Sequence, residues 1–151
     1  MAQPQRFEAR VAQIARHHPQ LASLRLEALR PLPRMRPGQF VQLALEPADP
    51  SGFWPESRAF SIANAVSDRY TLWLTIGAQG RFTRRLLEQV SAGDHLWAKG
   101  PYGDFVIGPT ADCHTAVLVA GGTGITPFCA FLDAALQAGR LPLPAVHLHY
   151  G

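Results

Sequence analysis

The apolar residues of this chain keep two rhythms. Through Gly100 they come in short runs that alternate, imperfectly, with polar ones: FEARVAQIARH, LASLRLEAL, QFVQLALE, RAFSIANAV, YTLWLTIG and DHLWAKG. Period-two alternation between turn residues marks strands with one buried face, and six of them predict an antiparallel barrel or sandwich. RPLPRMRPG holds three prolines and cannot be a central strand. PADPSGFWPES reads as a loop. One helix interrupts the series. RFTRRLLEQVSAG puts Phe82, Leu86 and Val90 on one face with Leu87 beside them, and Gly93 is its expected stop.

From Asp112 the rhythm changes. TAVLVA is a continuous apolar run, which predicts a strand buried on both faces. Phe128, Phe131, Leu132, Ala135 and Leu136 then fall at helical spacing, a single buried stripe. Thr126 suits the N-cap, Pro127 the first turn, and Gly139 the end. AVHLHY is the next strand. A β-α-β unit of this kind implies a parallel pair, with the boundary to the first part near Gly108–Asp112.

Between strand and helix lies GGTGITP. A helix start presents unpaired N–H groups and roughly half a positive charge. Gly121, Gly122 and Gly124 lack the Cβ atoms that would keep a phosphate away, so a pyrophosphate cradle is one reading. A tight turn that needs glycine for a positive φ is the other. No Gly-Lys-Ser/Thr follows, and Pro127 stands where a full G-x-G-x-x-G would have its last glycine. GRFTRRL is a second glycine-to-helix junction, with Gly80 before Arg81, Phe82 and Thr83; it offers N–H donors, a hydroxyl and guanidinium charge. Taken alone, it is also an ordinary capped helix.

Composition narrows the function. The chain has 151 residues, is 47% hydrophobic and carries a net charge of +3. Its basic residues are arginines, except for Lys99, and they are spread without a run, which does not suit nucleic-acid binding. Two cysteines, Cys113 and Cys129, make no disulfide framework, and no C-x4-C-x2-C run for an iron–sulfur cluster is present. No apolar signal core and no membrane-length stretch are seen, so a cytoplasmic protein without membrane attachment is expected. No paired carboxylates, Ser-His-Asp set or metal-ligand cluster stands out. His147 and His149 share a strand face but have no evident third ligand. Cys129 reads as a small core residue, and Trp54, Trp73 and Trp97 as core or rim aromatics. Arg30, Arg34 and Arg36 form a solvated loop or steer an acidic partner.

RAFSIAN, GRFTRRL, PGQFVQL, GPYGDF and GGTGITP stand in an order and at spacings that together resemble the ferredoxin–NADP reductase superfamily. The chain is most similar to NAD(P)H-dependent reductases that feed oxygenases or reduce deoxysugars. The resemblance implies a six-stranded antiparallel Greek-key β-barrel with one capping helix, residues 1–110, that binds flavin. It implies a truncated Rossmann-like α/β domain, residues 111–151, as the N-terminal part of an NAD(P)-binding domain. FAD is the implied cofactor, with FMN open, and NAD(P)H the implied co-substrate. Electrons would pass to an acceptor such as an iron–sulfur protein or oxygenase component.

The same resemblance assigns roles to residues. Arg58 would neutralise the flavin pyrophosphate, beside Ala59. Phe60 would pack on the isoalloxazine ring, and Ser61 would bond near its reactive nitrogen as the catalytic contact. Thr75 and Ile76 would touch flavin through backbone groups. Gly80, Arg81, Phe82 and Thr83 would hold phosphate, and Gly121, Gly122, Thr123, Gly124, Ile125 and Thr126 would receive the nicotinamide nucleotide. Family members continue by on the order of 80 residues beyond the second strand of the nucleotide unit, so a fragment with a whole flavin domain is expected, its two-stranded sheet leaving an apolar edge uncovered. A non-enzymatic flavin-binding electron-transfer or regulatory subunit is the alternative, and a barrel that binds neither ligand is a third.

Overall fold

The computed structural model describes residues 3–108 and 113–151. Six strands form one antiparallel sheet: β1 (Gln5–His18), β2 (Leu21–Ala28), β3 (Phe40–Ala44), β4 (Ser57–Ser61), β5 (Thr71–Gly77) and β6 (His95–Tyr102). Their spatial order is β4-β3-β6-β1-β2-β5. β1 is long enough to serve two neighbours. Its first half pairs with β6 and its second with β2, and register shifts near Val11 and Arg16 bend it between them. The alternation read from sequence is obeyed closely in β2 and β5, where every second residue is buried. Leu24, Leu26, Leu72, Leu74 and Ile76 meet inside with Val11, Val41 and Leu96. The sheet curls until its edge strands touch at one bridge, Ile62 opposite Leu74. It is a Greek-key barrel with an open seam.

Helix α1 (Arg81–Gln89) crosses from β5 to β6 and closes one end of the barrel with Phe82, Leu86 and Leu87. It ends sooner than expected. Val90 already has extended dihedrals, and Gly93, at φ +99°, belongs to the turn into β6, where its N–H bonds Val11 O. The buried Val90 takes the C-cap position in extended conformation, its N–H bonded to Leu86 O, and no glycine cap is used.

The second unit runs β7 (Thr115–Ala120), a 3-10 turn (Gly122–Ile125), α2 (Thr126–Ala138) and β8 (Ala145–Tyr150), with β7 and β8 parallel and in register from Thr115 opposite Ala145. Leu118, Phe128 and Phe131 form its small core. The expected boundary between residues 110 and 111 lies outside the described residues. Three expectations are corrected. β7 is buried on one face only: Val117 and Val119 are 62% and 71% exposed, because α2 covers the opposite face. Leu136, at 80% exposed, is not part of the buried stripe. Ile125 takes the N-cap position, and Thr126 is the first helical residue, its hydroxyl donating to Thr123 O at 2.7 Å. Gly139 does end α2, in the left-handed region at φ +66°.

The two units touch at named groups. Asp133 on α2 accepts the Ala65 N–H at 2.8 Å, and the Phe105 ring lies 6.1 Å from that of Phe128. Among the described residues no helix is long and apolar enough to cross a membrane.

PGQF and GPYGDF pack on each other. The buried Gln39 side chain accepts from Arg36 N–H and donates to Gly103 O, while Phe40 stacks on Tyr102 with ring centroids 5.6 Å apart. Gly38 sits at φ +96°, and a Cβ built on it would lie 1.7 Å from Phe105 O. Gly38→Ala combines left-handed strain with a backbone clash, so a loss on the order of 3 kcal/mol or more is expected, read as a drop in the urea midpoint.

Candidate functional site

The site is the seam. Main-chain polar groups of an antiparallel strand point alternately to its two neighbours. The Ala78 N–H bonds Gln20 O, so Leu74, Ile76 and Ala78 turn to β2; the Ala63 N–H bonds Trp73 O, so Trp73, Thr75 and Gly77 turn to the seam. On β4 the Ile62 N–H bonds Gln39 O, which leaves Ala59 and Ser61 facing the seam. Beyond the Ile62–Leu74 bridge the two strands share no ladder, and they part into a cleft of about 410 Å³. Backbone groups at Ala59 and Gly77 therefore point into the cleft and not at a neighbouring strand.

The cleft walls gather segments far apart in sequence. β4 supplies Arg58, Ala59 and Phe60, β5 supplies Thr75 and Gly77, and the start of α1 supplies Gln79 through Thr83. Thr123, from the glycine turn, completes the rim. It lies so close to β5 that a Cβ on Gly77 would be 3.3 Å from its methyl group. Phe60 is only 9% exposed; it belongs to the barrel core and to the cleft wall at once.

The α1 end carries positive potential. No acidic residue occupies its first turn, so its N–H groups and the helix dipole are uncompensated from within the helix. The Arg58 guanidinium lies 5.3 Å from the Phe82 ring centroid. Its Nη1 donates to Ser57 O at 2.8 Å, and its Nη2 to Glu56 Oε1 at 3.0 Å. Glu56 Oε2 is 3.8 Å from Arg81 Nη2. Thr83 Oγ1 accepts the N–H groups of Gln79 and Gly80 and donates to Gly80 O, which fixes the loop entering the helix. Gly80 is extended at φ −149°, a conformation open to any residue, and a Cβ there meets no atom within 4 Å. Its bareness serves the space and not the backbone.

Of the residues singled out from sequence, Arg58, Ala59, Phe60, Thr75, Gly80, Arg81, Phe82, Thr83 and Thr123 share this cleft. Ser61 is outside its lining, next to the closing bridge. Ile76 is fully buried, and it stands opposite Ala22 of β2, outside the cleft lining. Thr126 is buried with its hydroxyl engaged by Thr123 O. Gly121, Gly122, Gly124 and Ile125 lie outside the cleft lining. Gly122 needs glycine for its φ of +52°, whereas Gly124 has neither a positive φ nor an atom within 4 Å of a built Cβ. Both readings of the loop thus find a residue that suits them.

Sequence reasoning missed Glu56, Gly77 and Gln79. Glu56 had a signal: an acid only two positions from Arg58 in the chain. Cys129 is also corrected, being exposed, with a thiol pushed above its ordinary value by partial burial. Its place on the outward side of α2 removes it from the core. The three tryptophans are half-buried. Among the described residues no three His, Cys, Asp or Glu side chains cluster as a metal site.

Comparison with known proteins places this geometry. No family model matches the chain. It is 32% identical over 138 residues to the phenol hydroxylase P5 protein of Acinetobacter pittii (strain PHEA-2), covering 89% of this chain and 36% of that protein. It is 36% identical over 124 residues to a probable dihydroorotate dehydrogenase B (NAD(+)) electron transfer subunit of Methanopyrus kandleri, covering 82% of this chain and 41% of that one. It superposes on the Amycolatopsis cytochrome P450 reductase GcoB with a TM-score of 0.78 at 27% identity, over 100% of this chain and 44% of that chain. The chain belongs to the ferredoxin–NADP reductase superfamily. It spans less than half the length of these relatives.

Thr83→Ala removes the acceptor that fixes the entry to α1. A loss of about 1 kcal/mol is expected in denaturant unfolding, with Thr83→Ser retaining most of it.

Proposed function

We propose that this chain is the flavin-holding part of an NAD(P)H-dependent reductase, with FAD in the β4–β5 seam. The observation that carries this reading is the convergence of Arg58, Arg81, the α1 start and the free edges of β4 and β5 on one cleft. The donor set fits the group. Two guanidiniums and a helix start suit a diphosphate. Seam-facing backbone groups suit a planar heterocycle rich in hydrogen-bonding atoms, and Phe60 offers an aromatic wall. Bound flavin would supply electron exchange between a nicotinamide and an acceptor, which no side chain here can do. In this reading Arg58 and Arg81 hold phosphate, Thr75 and Ala59 orient the ring through main-chain groups, and Ser61 donates at the narrow end. FMN is the narrower fit, because it offers one phosphate to two arginines.

NAD(P)H is the proposed donor, received by the glycine turn from Gly121 to Ile125, whose Thr123 already borders the cleft. The proposed acceptor is an iron–sulfur protein or an oxygenase component. The phenol hydroxylase relative supports the enzyme reading. The electron transfer subunit relative supports a second one, in which the chain carries electrons for a partner and does not itself react with nicotinamide.

Purified protein titrated with FAD should develop a bound-flavin spectrum, and Arg58→Ala should weaken binding by about 10- to 100-fold through loss of a charge-assisted fork. Arg58→Lys should recover only part of it. Equal affinity of wild type and Arg58→Ala would overturn the reading. Anaerobic NADH separates the two roles: bleaching by the chain alone marks the reductase, and bleaching only with a partner marks the subunit.

A further inference from the structure

We propose that Glu56 sets the ligand affinity of this cleft, by acting as a built-in anion that an entering phosphate must displace. The inference rests on the flavin reading above. One carboxylate, just before β4, spans two cations from different elements: Oε1 to Arg58 of β4 at 3.0 Å, and Oε2 to Arg81 at the start of α1 at 3.8 Å. These are the donors the reading gives to the diphosphate. The Glu56 side chain is 43% exposed, so it is free to swing away.

A carboxylate beside a phosphate site can help, by pre-ordering the arginines, or hinder, by repulsion. The contacts here decide between them. Arg58 keeps its orientation without Glu56, because Ser57 O and the Phe82 ring also hold it. Arg81 is 89% exposed and touches Glu56 only at the limit of an ion pair, so little order is lost there. What Glu56 adds is a negative charge within a few ångströms of the incoming dianion. Repulsion wins, and the residue is a determinant of affinity, holding the site below the tightness its arginines allow.

The test is FAD titration of the whole chain, followed by flavin fluorescence, for wild type, Glu56→Gln, Glu56→Asp and Arg58→Ala. Glu56→Gln keeps an acceptor for Arg58 and removes the charge; it should bind FAD roughly three- to tenfold tighter, with the gain shrinking as salt is added. Glu56→Asp keeps the charge and should stay near wild type. If Glu56→Gln binds equally or more weakly while Arg58→Ala still loses affinity, this inference fails and the flavin reading stands. If neither variant differs from wild type, or wild type binds no FAD, the flavin reading fails and takes this inference with it.

Discussion

The structure turns on an incomplete closure. A Greek-key barrel has two edge strands, and an exposed edge is a row of unpaired polar groups that invites association. Here β4 and β5 are those edges, and they meet at a single bridge. The alternation of backbone direction then dictates which residues face the gap, before any side chain is considered. Ala59, Ser61, Thr75 and Gly77 do; Ile76 does not. The crossover helix α1 must start close to where β5 ends, because only Ala78, Gln79 and Gly80 separate them. Its positive end therefore lands at the mouth of the gap. Closure, polarity and charge at the cleft are consequences of one topological fact.

The motifs divide into two kinds once the fold is seen. PGQF and GPYGDF build the barrel: Gly38, Gly100 and Gly103 all stand where a Cβ would strike a neighbour, and Gln39 stitches the two loops. RAFS and GRFT build the cleft: Arg58 and Phe82 touch, although they are 24 positions apart in the chain. The first kind fixes where β3 lies beside β6, and β3 in turn positions β4. The scaffold glycines thus support the binding segment through one intervening strand.

Much of this was legible. Alternation located all six barrel strands because each has one face in the core, and helical spacing located α2 by Phe128 and Phe131. The errors share a cause, since local pattern carries no knowledge of what lies opposite. Val117 and Val119 look like core because they are apolar, yet only one helix covers their sheet. Cys129 and Leu136 sit on an apolar helix whose outer side faces water. The pairing of Glu56 with Arg81 needed the distance between β4 and α1, which no spacing rule contains.

The two units are joined in a way that bears on the cleft. Asp133 holds α2 to the loop after β4 through the Ala65 N–H, and Phe105 meets Phe128. At the other end of that helix, Thr123 rests against Gly77. Gly77 has no side chain, and this absence is what lets the glycine turn approach the seam. A Cβ there would stand 3.3 Å from the Thr123 methyl group, so one of the two would have to give by a few tenths of an ångström. The barrel and the α/β unit therefore meet at the same strand whose free edge lines the site, so their relative placement and the shape of the cleft are a single geometric quantity.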